Sequence, residues 1–130
     1  MNNSKILVVD DEKNLLLVLQ TLLTNQGYSV FTASRGKDAV IMAKSKRPDL
    51  IILDVMLPDM HGPKVAEELK EDIDTKNIPI LFLTALLTKK EEGKKKRFAG
   101  NNVVIAKPFD TDQLLNEIEK LLPEPIQRKG

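Results

Sequence analysis

The chain has 130 residues, 42% of them hydrophobic and 30% charged, which suits one globular domain able to bury a core of its own. Twenty Lys and Arg stand against 19 Asp and Glu for a net charge of +1, so no overall field favours nucleic acid or a membrane surface, and any electrostatic function has to be local. The absence of cysteine excludes disulfides and thiolate metal sites, and no apolar run approaches a membrane span or a signal-peptide core, so a soluble cytoplasmic protein is expected.

Lys5–Asp10 is a short apolar run, rich in β-branched residues and ending in carboxylates, which predicts a buried strand. From Glu12 to Gln26, Leu15, Leu16, Leu19, Leu22 and Leu23 recur at helical spacing, and Gly27 stands where helices commonly stop. The cycle repeats: Tyr28–Ala33 predicts a strand, Arg35–Lys46 a helix, Leu50–Asp54 a strand, and Pro63–Asp72 a helix with Val65, Ala66 and Leu69 on its apolar face. Ile78–Thr84 predicts the fourth strand, and Thr88 with Glu91 resembles a capping box opening a helix to about Phe98. Val103–Ala106 predicts the last strand. Asp110 with Gln113 opens a final helix that carries Leu114, Leu115, Ile118, Leu121 and Leu122. Five strand–helix pairs imply a doubly wound α/β fold, a parallel sheet with helices on both faces. Residues 1–122 form the expected domain, and 123–130, with Pro123 and Pro125, an exit tail or the start of a linker.

In such a sheet, ligands bind outside the carboxyl ends of the strands, where strand order reverses. Asp10 and Asp11 end the first strand, Asp54 the third, Thr84 the fourth and Lys107 the fifth. Each has an ordinary reading alone, since Asp caps helices and Thr or Lys at a strand end is commonly solvated. Together they put three carboxylates at one rim, whose mutual repulsion a hard, oxygen-loving cation such as Mg²⁺ offsets. A carboxylate beside Mg²⁺ can attack phosphorus if positive charge, here also from Lys107, neutralises the phosphoryl oxygens, and a Thr84 hydroxyl can donate to one of them.

Four motifs carry a family resemblance over about Lys5–Leu122: Val8-Val9-Asp10-Asp11-Glu12, Leu53-Asp54-Val55-Met56-Leu57-Pro58 with Gly62, Leu83-Thr84-Ala85, and Lys107-Pro108-Phe109. In order and spacing the chain resembles the receiver domain of two-component response regulators. The resemblance implies a flavodoxin-like strand order 2-1-3-4-5. It also implies phosphorylation of Asp54, direct Mg²⁺ ligation by Asp11, Asp54 and the main-chain carbonyl of Met56, and action of Asp10 through water. Lys107–Pro108 is expected to be a cis peptide, aiming the lysine at the site, and the small Ala85 to leave the phosphoryl group accessible. A sensor histidine kinase or phosphotransfer protein would be the donor. A downstream partner would read the 88–98 helix and the last strand–helix surface, homodimerisation is a further possibility within the family, and neither membrane nor direct nucleic-acid binding is implied.

Two positions depart from the family pattern. Val104 stands three residues before the lysine, where the family usually has the aromatic ring that follows the threonine, so a weaker or rerouted output is expected. Met60-His61-Gly62 puts the only histidine of the chain where Asp is common; a solvated loop residue is the ordinary reading and a pH-sensitive modulator the alternative. The 88–98 segment carries Lys89, Lys90, Lys94, Lys95, Lys96 and Arg97 around Glu91 and Glu92, an ordinary solvated face or a surface for an acidic partner, without the interleaved aromatics of a nucleic-acid platform. Against a haloacid-dehalogenase-type phosphatase, position 56 is Met and not the second Asp such chemistry needs. Against a flavin-binding flavodoxin, Asp10 and Asp11 would repel a phosphate. A regulatory phosphoacceptor limited to its own phosphorylation and dephosphorylation is therefore expected, and a degenerate receiver acting as a phosphorylation-independent binding module is the alternative that Val104 leaves open.

Overall fold

The apolar runs become strands and the periodic segments helices in the computed structural model, which describes residues 4–85 and 102–122. In chain order they are β1 (Lys5–Val9), α1 (Lys13–Asn25), β2 (Ser29–Ala33), α2 (Gly36–Lys46), β3 (Leu50–Leu53), α3 (Gly62–Lys70), β4 (Ile80–Thr84), β5 (Val103–Ala106) and α4 (Thr111–Leu121). The strands form one five-stranded sheet in the order β2-β1-β3-β4-β5, with every neighbouring pair parallel. This is the expected flavodoxin-like order. The expected helix over Thr88–Phe98 lies outside the described residues.

Alternate strand residues face opposite sides, which divides the core in two. Leu7, Val9, Ile51, Leu53 and Phe82 pack with Ala39, Val40 and Ala43 of α2 and Val65, Ala66 and Leu69 of α3. On the other face Ile6, Val8, Ile52, Leu81 and Leu83 pack with Leu19 and Leu23 of α1 and Leu114 and Ile118 of α4. Because both faces are covered, β1, β3 and β4 read as unbroken apolar runs rather than alternating ones. Each fully buried Leu or Ile contributes roughly 1.5–3 kcal/mol of transfer free energy, ample to hold the rim residues on a rigid frame.

Local chemistry sets the ends. Gly27 closes α1 at φ 96°, and Arg47 adopts the left-handed conformation at the end of α2. α3 stops at Lys70, two residues short of the expected Asp72: the Asp72 carboxylate accepts the Asp74 N–H at 2.8 Å and its carbonyl the Thr75 and Lys76 N–H groups, so a turn replaces the next helical rung. β4 starts at Ile80 rather than Ile78, because Ile78 N–H is spent on a turn to Thr75 O and Pro79 has no N–H to donate.

Candidate functional site

β1 pairs with β2 on one side and β3 on the other, so the chain leaves β1 and β3 in opposite directions and opens a crevice at their carboxyl ends. The ladder runs one residue past the strands there: Asp10 N–H donates to Ala33 O at 3.1 Å and Asp54 N–H to Val9 O at 3.0 Å. These bonds fix the two buried aspartates side by side, and exposed Asp11 completes the group, with one oxygen from each of the three within 4.8 Å of the others.

Lys107 reaches this group from the end of β5. Its N–H donates to Thr84 O at 2.9 Å, and Lys107–Pro108 is cis, as the resemblance implied. The amino group contacts Asp10 Oδ2 at 2.7 Å, Glu12 Oε1 at 3.2 Å and Asp54 Oδ2 at 3.3 Å. Burial pushes the Asp10 carboxyl above its ordinary range, and the hydrogen bonds from Lys107 and from the Glu12 N–H only partly oppose it. Burial alone would lower the Lys107 pKa, but the Asp10 hydrogen bond and the charges of Asp10 and Asp54 outweigh it, so the lysine is held more firmly protonated than usual.

The loop from β3 to α3 folds back on itself. Gly62 N–H donates to Val55 O at 2.6 Å, Met56 and His61 form an isolated antiparallel bridge, and Met56 N–H reaches Asp54 Oδ1 at 3.3 Å. A Cβ on Gly62 would press on the Asp54 carbonyl and lie 2.9 Å from Val55 Cα, so the turn admits no side chain. The loop is also tied sideways: Asp59 accepts the Gly36 N–H at 2.7 Å and the Lys37 N–H at 3.0 Å, capping α2 from outside its own sequence. Those two bonds lower the Asp59 pKa, the Lys37 N–H contributing most.

A profile of the response regulator receiver domain matches residues 6–119. The chain belongs to the response regulator receiver domain family. This receiver is 39% identical over 118 residues to the probable transcriptional regulator ycf27 of Porphyra purpurea, covering 91% of this chain and 47% of the relative. It is 34% identical over 125 residues to sporulation initiation phosphotransferase F of Bacillus subtilis, covering 95% and 97% of the two chains. The chain thus spans about half the length of the transcriptional regulators it matches and nearly all of the phosphotransferase. Among solved structures, response regulator protein TrrA of Thermotoga maritima, in complex with Mg²⁺ and BeF, superposes with a TM-score of 0.77 at 34% identity, covering 92% of this chain and 99% of that one.

Of the residues singled out in the sequence, Asp10, Asp11, Asp54 and Lys107 meet in this receiver. Thr84 is buried on the same rim, at the end of β4, and its carbonyl is joined to Lys107. Val104 stands apart, beside Phe82 in the sheet register and half-buried against the α2–α3 face. His61 is exposed at the start of α3, where its carbonyl, and no side-chain bond, serves the helix. Sequence reasoning misses two participants: Glu12, legible only as the last residue of a motif, and Asp59, which looks like any turn aspartate until α2 is seen against it.

Proposed function

We propose that this receiver is a phosphorylation-dependent switch in which Asp54 accepts the phosphoryl group of a phospho-histidine on a sensor kinase or phosphotransfer protein, in a Mg²⁺-dependent reaction. The observation that carries the reading is the crowding of Asp10, Asp11 and Asp54 within 4.8 Å beside Lys107, the one lysine that reaches them among the described residues. An all-oxygen donor set with more negative charge than Lys107 alone neutralises fits a hard divalent cation. When bound by Asp11, Asp54 and the Met56 carbonyl, with Asp10 acting through water, Mg²⁺ supplies charge that offsets the carboxylates and the phosphoryl oxygens.

The remaining roles fall to the chain. The Met56 N–H and the Lys107 amino group, on opposite oxygens, orient the Asp54 carboxylate as nucleophile. An Asp54 oxygen bonds to phosphorus as the phosphorus–nitrogen bond of the donor breaks and the imidazole keeps the electron pair. Lys107 then faces a phosphoryl oxygen, and the Thr84 hydroxyl donates to another. Without an aromatic ring at Val104, the response passes outward through the main-chain link from Thr84 to Lys107 and β5 toward a downstream partner. Residues 1–122 act as the switching unit, with 123–130 as its tail. A cytoplasmic location goes with this reading; no helix among the described residues is long and apolar enough to cross a membrane.

Incubation with acetyl phosphate and Mg²⁺, followed by intact mass, tests it: a labile single phosphoryl adduct is expected on the native chain and none on Asp54→Asn. Equal labelling of both, or of neither, overturns the reading.

A further inference from the structure

Lys107 carries three N–H donors, and three carboxylates receive them: Asp10, Glu12 and Asp54. They are not equivalent. Asp10 is buried and its other oxygen holds the Glu12 N–H at 2.9 Å, so it cannot swing away. Asp54 is itself buried. Glu12 is the outer partner, its side chain 62% exposed, and although its carbonyl accepts the Leu16 N–H at the start of α1, its carboxylate makes no capping bond there. An exposed ion pair contributes little to stability; at this place, however, it adds a negative charge at the mouth of the site and takes the one lysine donor that a newcomer could reclaim.

We infer that Glu12 is a positioning and selectivity residue that occupies the outer donor of Lys107 and turns away small, doubly charged phosphodonors. The inference rests on Asp54 as the phosphoacceptor. An incoming phosphoryl oxygen has to displace the Glu12 carboxylate from Lys107, and a free dianion meets that charge without the compensating contacts of a protein donor.

The test compares the intact chain with Glu12→Gln and Glu12→Asp, using two donors with Mg²⁺. With acetyl phosphate, an Asp54 oxygen bonds to phosphorus and acetate leaves with the electron pair. With phosphoramidate, the phosphorus–nitrogen bond breaks and ammonia leaves. Glu12→Gln is expected to speed labelling by the more highly charged acetyl phosphate by roughly three- to tenfold, and by phosphoramidate less, the gap closing between about 0.05 and 0.5 M salt. Glu12→Asp, which keeps the charge, stays close to the native donor preference. Independently of turnover and without metal, the Lys107 Hε–Nζ correlation in NMR shifts in Glu12→Gln. An unchanged acetyl phosphate rate, an equal change with both donors, or an unmoved Lys107 resonance overturns the inference while Asp54 labelling stands. Failure of every chain to label at Asp54 removes both readings together.

Discussion

Asp10 and Lys107 titrate in opposite senses, and the signs are informative. Asp10 is an acid whose folded pKa lies above its ordinary 3.8, so it binds its proton more tightly folded than unfolded. The stability it confers is present below that value and is lost as pH climbs through the raised one. At neutral pH its charge is therefore a burden on the metal-free fold, and Asp10→Asn is expected to raise metal-free stability while weakening stabilisation by Mg²⁺. Urea unfolding with and without Mg²⁺ measures both, and a metal-free variant less stable than the native chain would contradict the first. Lys107 is a cation raised above 10.5; its contribution is intact below that pH and is lost as pH rises through the higher folded value. Lys107→Ala leaves Asp10 and Asp54 facing each other and should cost roughly 1–3 kcal/mol at pH 7. Mg²⁺ should restore some of the loss, and the gap from the native chain should close only at strongly alkaline pH.

Helix starts differ in what holds them, and so in how they should respond to mutation. α4 is capped from within: Asp110 accepts the Gln113 N–H at 3.0 Å, and Asp110→Ala should cost about 1 kcal/mol in thermal or urea unfolding. α2 is capped from the β3–α3 loop. The Asp59 pKa is lowered, so the tie exists above the ordinary carboxylate value and opens as pH falls through the depressed one. The Gly36 and Lys37 amide resonances should titrate together with a midpoint below 3.8, and that step should vanish in Asp59→Ala. The first kind of cap was legible because Asp110 and Gln113 lie three residues apart, within reach of any local rule. The second joins residues 23 and 22 positions apart, and no local pattern marks it. The same division explains the rest. Strand runs and helix faces are written in neighbouring residues, as were the strand-end positions of Asp10, Asp54, Thr84 and Lys107. The early end of α3 at Lys70 is set by the local turn at Asp72, but the grip of Glu12 on a lysine 95 residues away and the cap on α2 are products of the folded chain.

Across the whole molecule, the parallel sheet brings strand ends from distant regions of the sequence to one rim, and binding at that rim should be felt by the entire domain. A ligand that binds only the folded state stabilises it in proportion to the logarithm of its concentration, by about 2.7 kcal/mol at 100 times its Kd. Mg²⁺ should therefore raise the melting temperature of the native chain progressively and leave that of Asp11→Ala almost unmoved, as differential scanning fluorimetry can follow. Gly62→Ala tests the frame beneath the site. The neighbours of the added methyl are main-chain atoms of Asp54 and Val55, which cannot rotate aside, so a loss of roughly 1–3 kcal/mol and a weaker Mg²⁺ response are expected together. The tie from Asp59 to α2 also decides how this chain could be recombined. Exchanging the loop alone would remove the Asp59 acceptor, and an α2 taken from another receiver without glycine at position 36 would place a Cβ 2.6 Å from Met60 Cγ in that loop. The smallest interchangeable block on this side of the sheet runs from Arg35 to Gly62, a helix, a strand and a turn inherited as one piece.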